Sequence, residues 1–202
     1  MVAIIDYGAG NLMSVSKAIC ALGSECCISA DSERILSSDR IILPGVGAFG
    51  DAMEKLEKAG LIETIKTAVS SGKPFLGICL GYQLLFESSS EAPGVRGLSL
   101  IPGEVLRIPD APGLKVPHMG WNSLSYPNEG DLFRGVPEES YVYFVHSYYV
   151  RAASRDCVCA TTDYGVEIDA SVQKDNIYGC QFHPEKSSKT GAKILENFLC
   201  MF

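Results

Sequence analysis

Lys73-Pro74-Phe75-Leu76-Gly77-Ile78-Cys79-Leu80-Gly81-Tyr82-Gln83 is the stretch on which the fold turns. It reads as a short apolar strand, Pro74–Ile78, that delivers a glycine-bracketed cysteine, with a helix opening at about Tyr82. Gly77-Ile78-Cys79-Leu80-Gly81 is the cysteine counterpart of a nucleophile elbow, a sharp strand-to-helix turn that exposes one side chain at a sheet edge. Glycine two before and two after the nucleophile fits that turn, because both positions approach neighbouring backbone where a Cβ collides. Cys79 then sits at a helix N-terminus, where free amides and the dipole favour a thiolate. The Leu80 amide points towards any oxyanion formed at the sulfur's target. A cysteine after an apolar strand is also common core filler, so the elbow needs partners elsewhere in the chain.

Upstream, short apolar runs alternate with helical periodicity. Val2–Tyr7 reads as a strand, then the turn Gly8-Ala9-Gly10-Asn11, then a helix over Leu12–Leu22 with Val15, Ala18, Ile19 and Leu22 on one face, stopped at Gly23. Glu25–Ser29 and Arg40–Leu43 are two further strands, the second ending in Pro44-Gly45-Val46-Gly47. Asp51–Ala59 and Leu61–Ser70 form one broken helix or two, interrupted at Gly60. This alternation predicts an α/β fold with an open, mostly parallel sheet flanked by helices, whose ligands collect at the carboxyl ends of the strands.

Downstream of Pro93 the texture changes. Strands are expected at Val116–Met119, Tyr141–Val150, Val158–Thr162 and Ile177–Phe182, with a hairpin at Lys174-Asp175-Asn176. This C-terminal half reads as a mixed or antiparallel portion packed beside the first, closed by an amphipathic helix over Thr190–Phe202. The 202 residues are expected to form a single domain.

Composition excludes several classes. A formal net charge of -7 argues against nonspecific nucleic-acid binding. No apolar run reaches membrane-spanning length. The start, Met1–Asn11, has no basic region before its apolar residues, and so reads as a first strand rather than a signal peptide. The eight cysteines lack a framework spacing, which suggests free thiols in a reducing, cytoplasmic setting. Cys157-x-Cys159 is too tight for a zinc knuckle, so no metal site is expected. The GAGN turn lacks the third glycine of a dinucleotide fingerprint, Met13 standing in its place.

The elbow's partners lie far downstream. In Gln181-Phe182-His183-Pro184-Glu185 at a strand end, residues two apart face the same side, so His183 and Glu185 can both face the sheet's carboxyl edge. A carboxylate beside a histidine fixes its tautomer and stabilises the imidazolium. The Gly45-Val46-Gly47 loop after the neighbouring strand offers further backbone donors to an oxyanion.

GICLGYQ, with PGVG upstream and HPE downstream, resembles the triad-type (class I) glutamine amidotransferase domain, a flavodoxin-like fold. DYGAGNL, LPGVGAF, VPHMGWN, YFVHSYY and QFHPEKS, in this order, narrow the resemblance to the glutaminase subunits of imidazole glycerol phosphate synthase, over essentially the whole chain. The resemblance implies a Cys79–His183–Glu185 triad that hydrolyses glutamine through a glutamyl thioester, without metal or organic cofactor. It implies that Gly47, Gln83 and the backbone around Ser147 and Tyr148 hold glutamine. It implies a (β/α)₈-barrel cyclase as heterodimeric partner, which uses the ammonia to make imidazole glycerol phosphate and aminoimidazole carboxamide ribonucleotide in histidine biosynthesis. The docking face it implies includes Gly10, Asn11, Met119, Trp121, Asn122, Tyr143 and Lys186. The oxyanion loop is expected to be turned away in the free chain. His118 and His146 are expected to be hydrogen-bonded core or lining residues, not catalytic ones. Competing readings are a glutaminase for another synthase, a cysteine peptidase, and a non-catalytic module in which Cys79 senses oxidation.

Overall fold

The computed structural model describes residues 1–201; Phe202, the end of the expected last helix, lies outside the described residues. The first half runs β1 (Val2–Ile5), α1 (Leu12–Ala21), β2 (Cys26–Ser29), α2 (Ser32–Ser37), β3 (Arg40–Gly45), α3 (Phe49–Lys58), α4 (Leu61–Ser70), β4 (Phe75–Cys79) and α5 (Leu80–Gln83). The second half runs β5 (Ser88–Ser89), β6 (Gly103–Arg107), β7 (His118–Ser123), β8 (Tyr141–His146), β9 (Tyr148–Ala152), β10 (Val158–Asp163), β11 (Glu167–Lys174), β12 (Ile177–Cys180) and α6 (Ser188–Leu199).

The main sheet has seven strands in the order β10-β11-β12-β4-β3-β1-β2. From β12 to β2 all neighbours are parallel, while β10, β11 and β12 are joined antiparallel. The C-terminal strands therefore extend the first sheet rather than forming a layer beside it, β12 pairing directly with β4. Two small sheets, β5-β6-β9 and β7-β8, stand apart from it.

Alternation along the central strands feeds two cores. Ala3, Ile5, Ile41, Leu43 and Phe75 pack against α2, α3 and α4, through Ile35, Phe49, Leu56, Leu61 and Ile65. Val2, Ile4, Ile42, Leu76 and Ile78 point the other way, onto Val15 and Ile19 of α1 and Ile194, Leu195 and Phe198 of α6. Helices on both faces of a parallel sheet leave its carboxyl edge open, and β1, β3, β4 and β12 all end there.

Several boundaries differ from the sequence reading. Of the two alternatives left open at Gly60, the chain forms two helices, with Gly60 at φ +68 between them; α3 begins two residues earlier than expected, at Phe49. The long strand expected over Tyr141–Val150 is two strands, in different sheets, broken at Ser147. The strand expected at Val116–Met119 begins at His118 and runs to Ser123. The turn Asp175-Asn176 does make the hairpin, with Lys174 opposite Ile177 and Asp175 at φ +53.

Candidate active site

Cys79 ends β4 with φ 56 and ψ −112, in the positive-φ region that side chains avoid, which marks the elbow. The helix after it is a single turn that opens at Leu80, not at Tyr82. Leu80 is its first residue, so its amide has no acceptor within the helix. The two bracketing glycines are required sterically. A Cβ on Gly81 would lie 1.8 Å from the Leu43 carbonyl oxygen, and one on Gly77 would lie 2.8 Å from the Gly81 carbonyl oxygen.

His183 and Glu185 follow β12, the neighbour of β4. His183 Nδ1 and Glu185 Oε1 are 2.8 Å apart, with side chains 3% and 1% exposed. The pairing arises in a different way from strand alternation: β12 stops at Cys180, and Pro184–Lys186 form a 3₁₀ turn that folds the carboxylate back onto the ring. The His183 amide donates to the Tyr143 carbonyl, and Ser187 Oγ donates to the His183 carbonyl, which ties the triad segment to β8. Burial alone pulls the His183 pKa down, but the nearby Cys79 sulfur and the hydrogen bond and charge of Glu185 outweigh it and hold the ring up at about 9. His183 Nε2 is nevertheless buried without a partner in hydrogen-bonding geometry. The sulfur is thus close enough to influence the ring but not yet bonded to it, as in many unliganded catalytic pairs.

Cys79, His183, Leu80, Gln83, Val46, Gly47, Ser147 and Tyr148 line one cavity of about 360 Å³, together with Glu91, Pro117, Val145 and His146. The larger groove, of about 700 Å³ between Met53, Ile62 and Leu98, brings together no cysteine or histidine. Gly45 lies just behind the cavity, packed so closely on Gly81 and Tyr7 that a Cβ would come within 2.7 Å of both. Gly47 has φ +102, and Val46 beside it is 46% exposed. Gln83 does not hang free at the cavity wall: its Nε2 donates to the Tyr148 carbonyl at 2.8 Å and to Gln181 Oε1 at 3.0 Å.

Two polar residues of this site escaped the sequence reading. Among the described residues Glu91 is the only carboxylate lining the cavity, and its Oε2 accepts the Phe49 amide at the start of α3. Gln181 is fully buried, with Nε2 3.9 Å from Cys79 Sγ. The signal for Gln181 was its place two residues before His183; Glu91 sits in an irregular loop that carries no pattern.

The residues expected on a docking face divide. Met119 and Trp121 are 63% and 50% exposed. Trp121 stands opposite Tyr143 in the β7-β8 ribbon, ring centroids 6.1 Å apart, and Lys186 Nζ lies 5.9 Å over the Tyr143 ring. Tyr141, which the sequence did not single out, adds a further exposed ring on the same face of β8. Asn122 is instead committed internally, its Nδ2 donating to the Asp163 carbonyl. Gly10 and Asn11 follow β1 at the same sheet edge, Gly10 within 3.5 Å (as a Cβ position) of Pro44, and Asn11 starts α1 without a side-chain cap bond.

A cysteine elbow on a parallel sheet, with a carboxylate-oriented histidine from the adjacent strand, is the arrangement expected of a class-I glutamine amidotransferase, and the glutamine amidotransferase class-I family model matches residues 3–202. Similarity in sequence narrows this. The chain is 53% identical over 199 residues to imidazole glycerol phosphate synthase subunit HisH of Methanothermobacter thermautotrophicus, covering 98% of both chains. It is 51% identical over 197 residues to the subunit HisH of Moorella thermoacetica, covering 98% of this chain and 93% of the other. A solved glutamine amidotransferase shares the fold, with TM-score 0.76 and 18% identity over 98% of this chain and 97% of that one. The chain belongs to the class-I glutamine amidotransferases and, among them, to the HisH subunits of imidazole glycerol phosphate synthase.

Proposed function

We propose that this chain hydrolyses glutamine to glutamate and ammonia at Cys79 and supplies the ammonia to a cyclase subunit in histidine biosynthesis. The observation that carries the reading is the shared cavity, where nucleophile, oriented histidine and backbone donors from three strand ends converge. Cys79 attacks the side-chain amide carbon of glutamine. The oxyanion is met by the Leu80 amide and by an amide of the Gly45-Val46-Gly47 loop. His183, protonated at neutral pH, gives its proton to the leaving nitrogen as the C–N bond breaks, and ammonia departs from a glutamyl thioester. His183 then takes a proton from water, which adds to the thioester and releases glutamate and the thiol. Glu185 keeps the ring's Nδ1 proton in place throughout. The Glu91 carboxylate complements the α-ammonium of glutamine, and the Ser147–Tyr148 backbone with Gly47 and Gln83 frames the rest.

Ammonia released to water is protonated and loses nucleophilicity, so a partner must seal the site. The exposed Met119, Trp121 and Tyr141, with Tyr143 and Lys186, form an aromatic and basic patch suited to anchor a (β/α)₈-barrel cyclase. The subunit HisH name of the relatives supports that assembly. Mass spectrometry of the acid-quenched complex turning over glutamine tests the chemistry. A glutamyl adduct on the peptide containing Cys79, absent from Cys79→Ala, is the expected result; turnover without any adduct or dependence on Cys79 refutes it.

A further inference from the structure

His118 and His146 take no part in that chemistry, yet both are almost fully buried, at 3% and 6% exposure. They stand directly opposite each other in the β7-β8 ribbon. His118 is clamped between two rings, 4.7 Å from Phe144 and 3.8 Å from Tyr164 in near-parallel stacks. Its Nδ1 is 3.0 Å from His146 Nε2, and His146 Nδ1 is 2.8 Å from the Tyr148 carbonyl oxygen.

The proton order in this chain has one solution. A carbonyl only accepts, so His146 carries its proton on Nδ1 and donates to Tyr148. In the neutral ring Nε2 is then an acceptor, and His118 must donate to it from Nδ1. His118 Nε2 is left as an acceptor, facing Asn122 Nδ2 at a long 3.5 Å. The opposite order would set two lone pairs 2.8 Å apart at Tyr148. Burial keeps both rings neutral, His118 at about 4 and His146 at about 3, with His146 partly offset by the Tyr148 bond.

The pair ends on the segment that walls the glutamine cavity. Tyr148's carbonyl takes bonds from both His146 and Gln83, and the Ser147 carbonyl takes one from the Ile108 amide. Each trans peptide points its amide opposite its carbonyl: the Ile108 bond fixes the 147–148 plane, which carries the Tyr148 amide, and the His146 bond fixes the 148–149 plane, so together they set the backbone on both sides of Tyr148. Ser147 is also where the chain leaves the β7-β8 ribbon for the β6-β9 pair, in which Tyr148 lies opposite Arg107.

We propose that His118 and His146 are positioning residues for glutamine binding, acting as a proton-ordered pair that holds the Ser147–Tyr148 backbone in its binding orientation. This rests on the glutaminase reading. His118 lies outside the cavity lining, so it acts only through His146 and can be varied without touching substrate.

The test compares two thiol reagents on the full-length chain. The diazoketone analogue of glutamine labels Cys79 saturably and reports glutamine binding; iodoacetamide reports thiol reactivity alone. In His118→Leu the half-saturating concentration of the diazoketone is expected to rise about fivefold, the usual effect of one lost hydrogen bond, with its limiting rate and the iodoacetamide rate within twofold of wild type. His118→Gln, which restores a donor, is expected to return to within twofold. A half-saturation change below twofold in His118→Leu, or equal loss with both reagents, overturns the proposal. Should His118→Leu not fold, nitrogen-15 NMR of the wild-type imidazoles decides: both rings neutral with the proton on Nδ1 is expected, and a proton on Nε2 of either ring overturns it. Wild-type labelling that does not saturate with the diazoketone removes the glutamine site itself, and is thereby distinguishable from failure of the pair alone.

Discussion

Replacing Glu185 with Gln keeps an acceptor near His183 but removes a charge. The ring and carboxylate are 2.8 Å apart and nearly dry, so the charge acts with little screening by solvent. Against the pull of burial, His183 is held at about 9 rather than an ordinary 6.5 by Cys79 and by Glu185, the latter contributing both a hydrogen bond and a charge. Losing an adjacent opposite charge typically moves a pKa by about 1–3 units, so a fall of about 1.5 is expected here. At pH 8 about 90% of wild-type His183 then carries the proton needed for the leaving nitrogen, against about a quarter in the variant; near pH 6.5 both are largely protonated. The variant should therefore lose about fourfold more activity at pH 8 than at pH 6.5, beyond any loss common to both. The assay is glutamate release by the complex across pH 6 to 10, with saturating glutamine. A loss of the same factor at every pH, with the alkaline limb still near 9, refutes the role given to Glu185. The same raised pKa contributes stability present below about 6.5 and lost as pH rises through about 9, so urea midpoints of wild type should fall over that window and those of Glu185→Gln should fall less.

On the acid side the sign reverses for His118 and His146, whose folded pKa values lie below the unfolded one. Their contribution is present above about 6.5 and lost as pH falls towards 4 and 3, so wild-type urea midpoints should drop between pH 6.5 and 4, and His118→Gln should drop less over that range. Gly81→Ala places a methyl 1.8 Å from the Leu43 carbonyl in the middle of the sheet, and is expected to cost more than about 3 kcal/mol in chemical denaturation and to abolish activity. Trp121→Ala, at a half-exposed position, should change stability by no more than about 0.5 kcal/mol while weakening cyclase binding in calorimetry by about 2 kcal/mol, roughly thirtyfold.

The elbow was legible because its demands are local. Gly77 and Gly81 are needed where the chain turns back on itself within five residues, and that need is written into the same short stretch. The Lys174–Ile177 hairpin was legible for the same reason. What escaped depends on distant neighbours. Nothing near Ile177 indicates that β12 pairs with Phe75–Ile78, a hundred residues earlier in the chain, so the sheet appeared as two layers. The break at Ser147 was hidden because Tyr141–Val150 is apolar and aromatic throughout, and only the parting of two sheets divides it. Glu91 was silent, and Gln181 signalled only by its place two residues before His183, because a glutamine or glutamate is ordinary until the fold brings it to Cys79 or to a shared cavity. α2 was missed although Asp31 caps it, because only Ile35 of its six residues is buried and no periodicity develops.

The most direct measurement is glutamate release from glutamine by the chain alone, then with the (β/α)₈-barrel cyclase, then with the cyclase and its ribonucleotide substrate, with Cys79→Ala as control. Activity that rises at each addition and vanishes in Cys79→Ala is the predicted result. Glutamate release unaffected by the cyclase, or surviving in Cys79→Ala, would contradict a Cys79 glutaminase built to serve that partner.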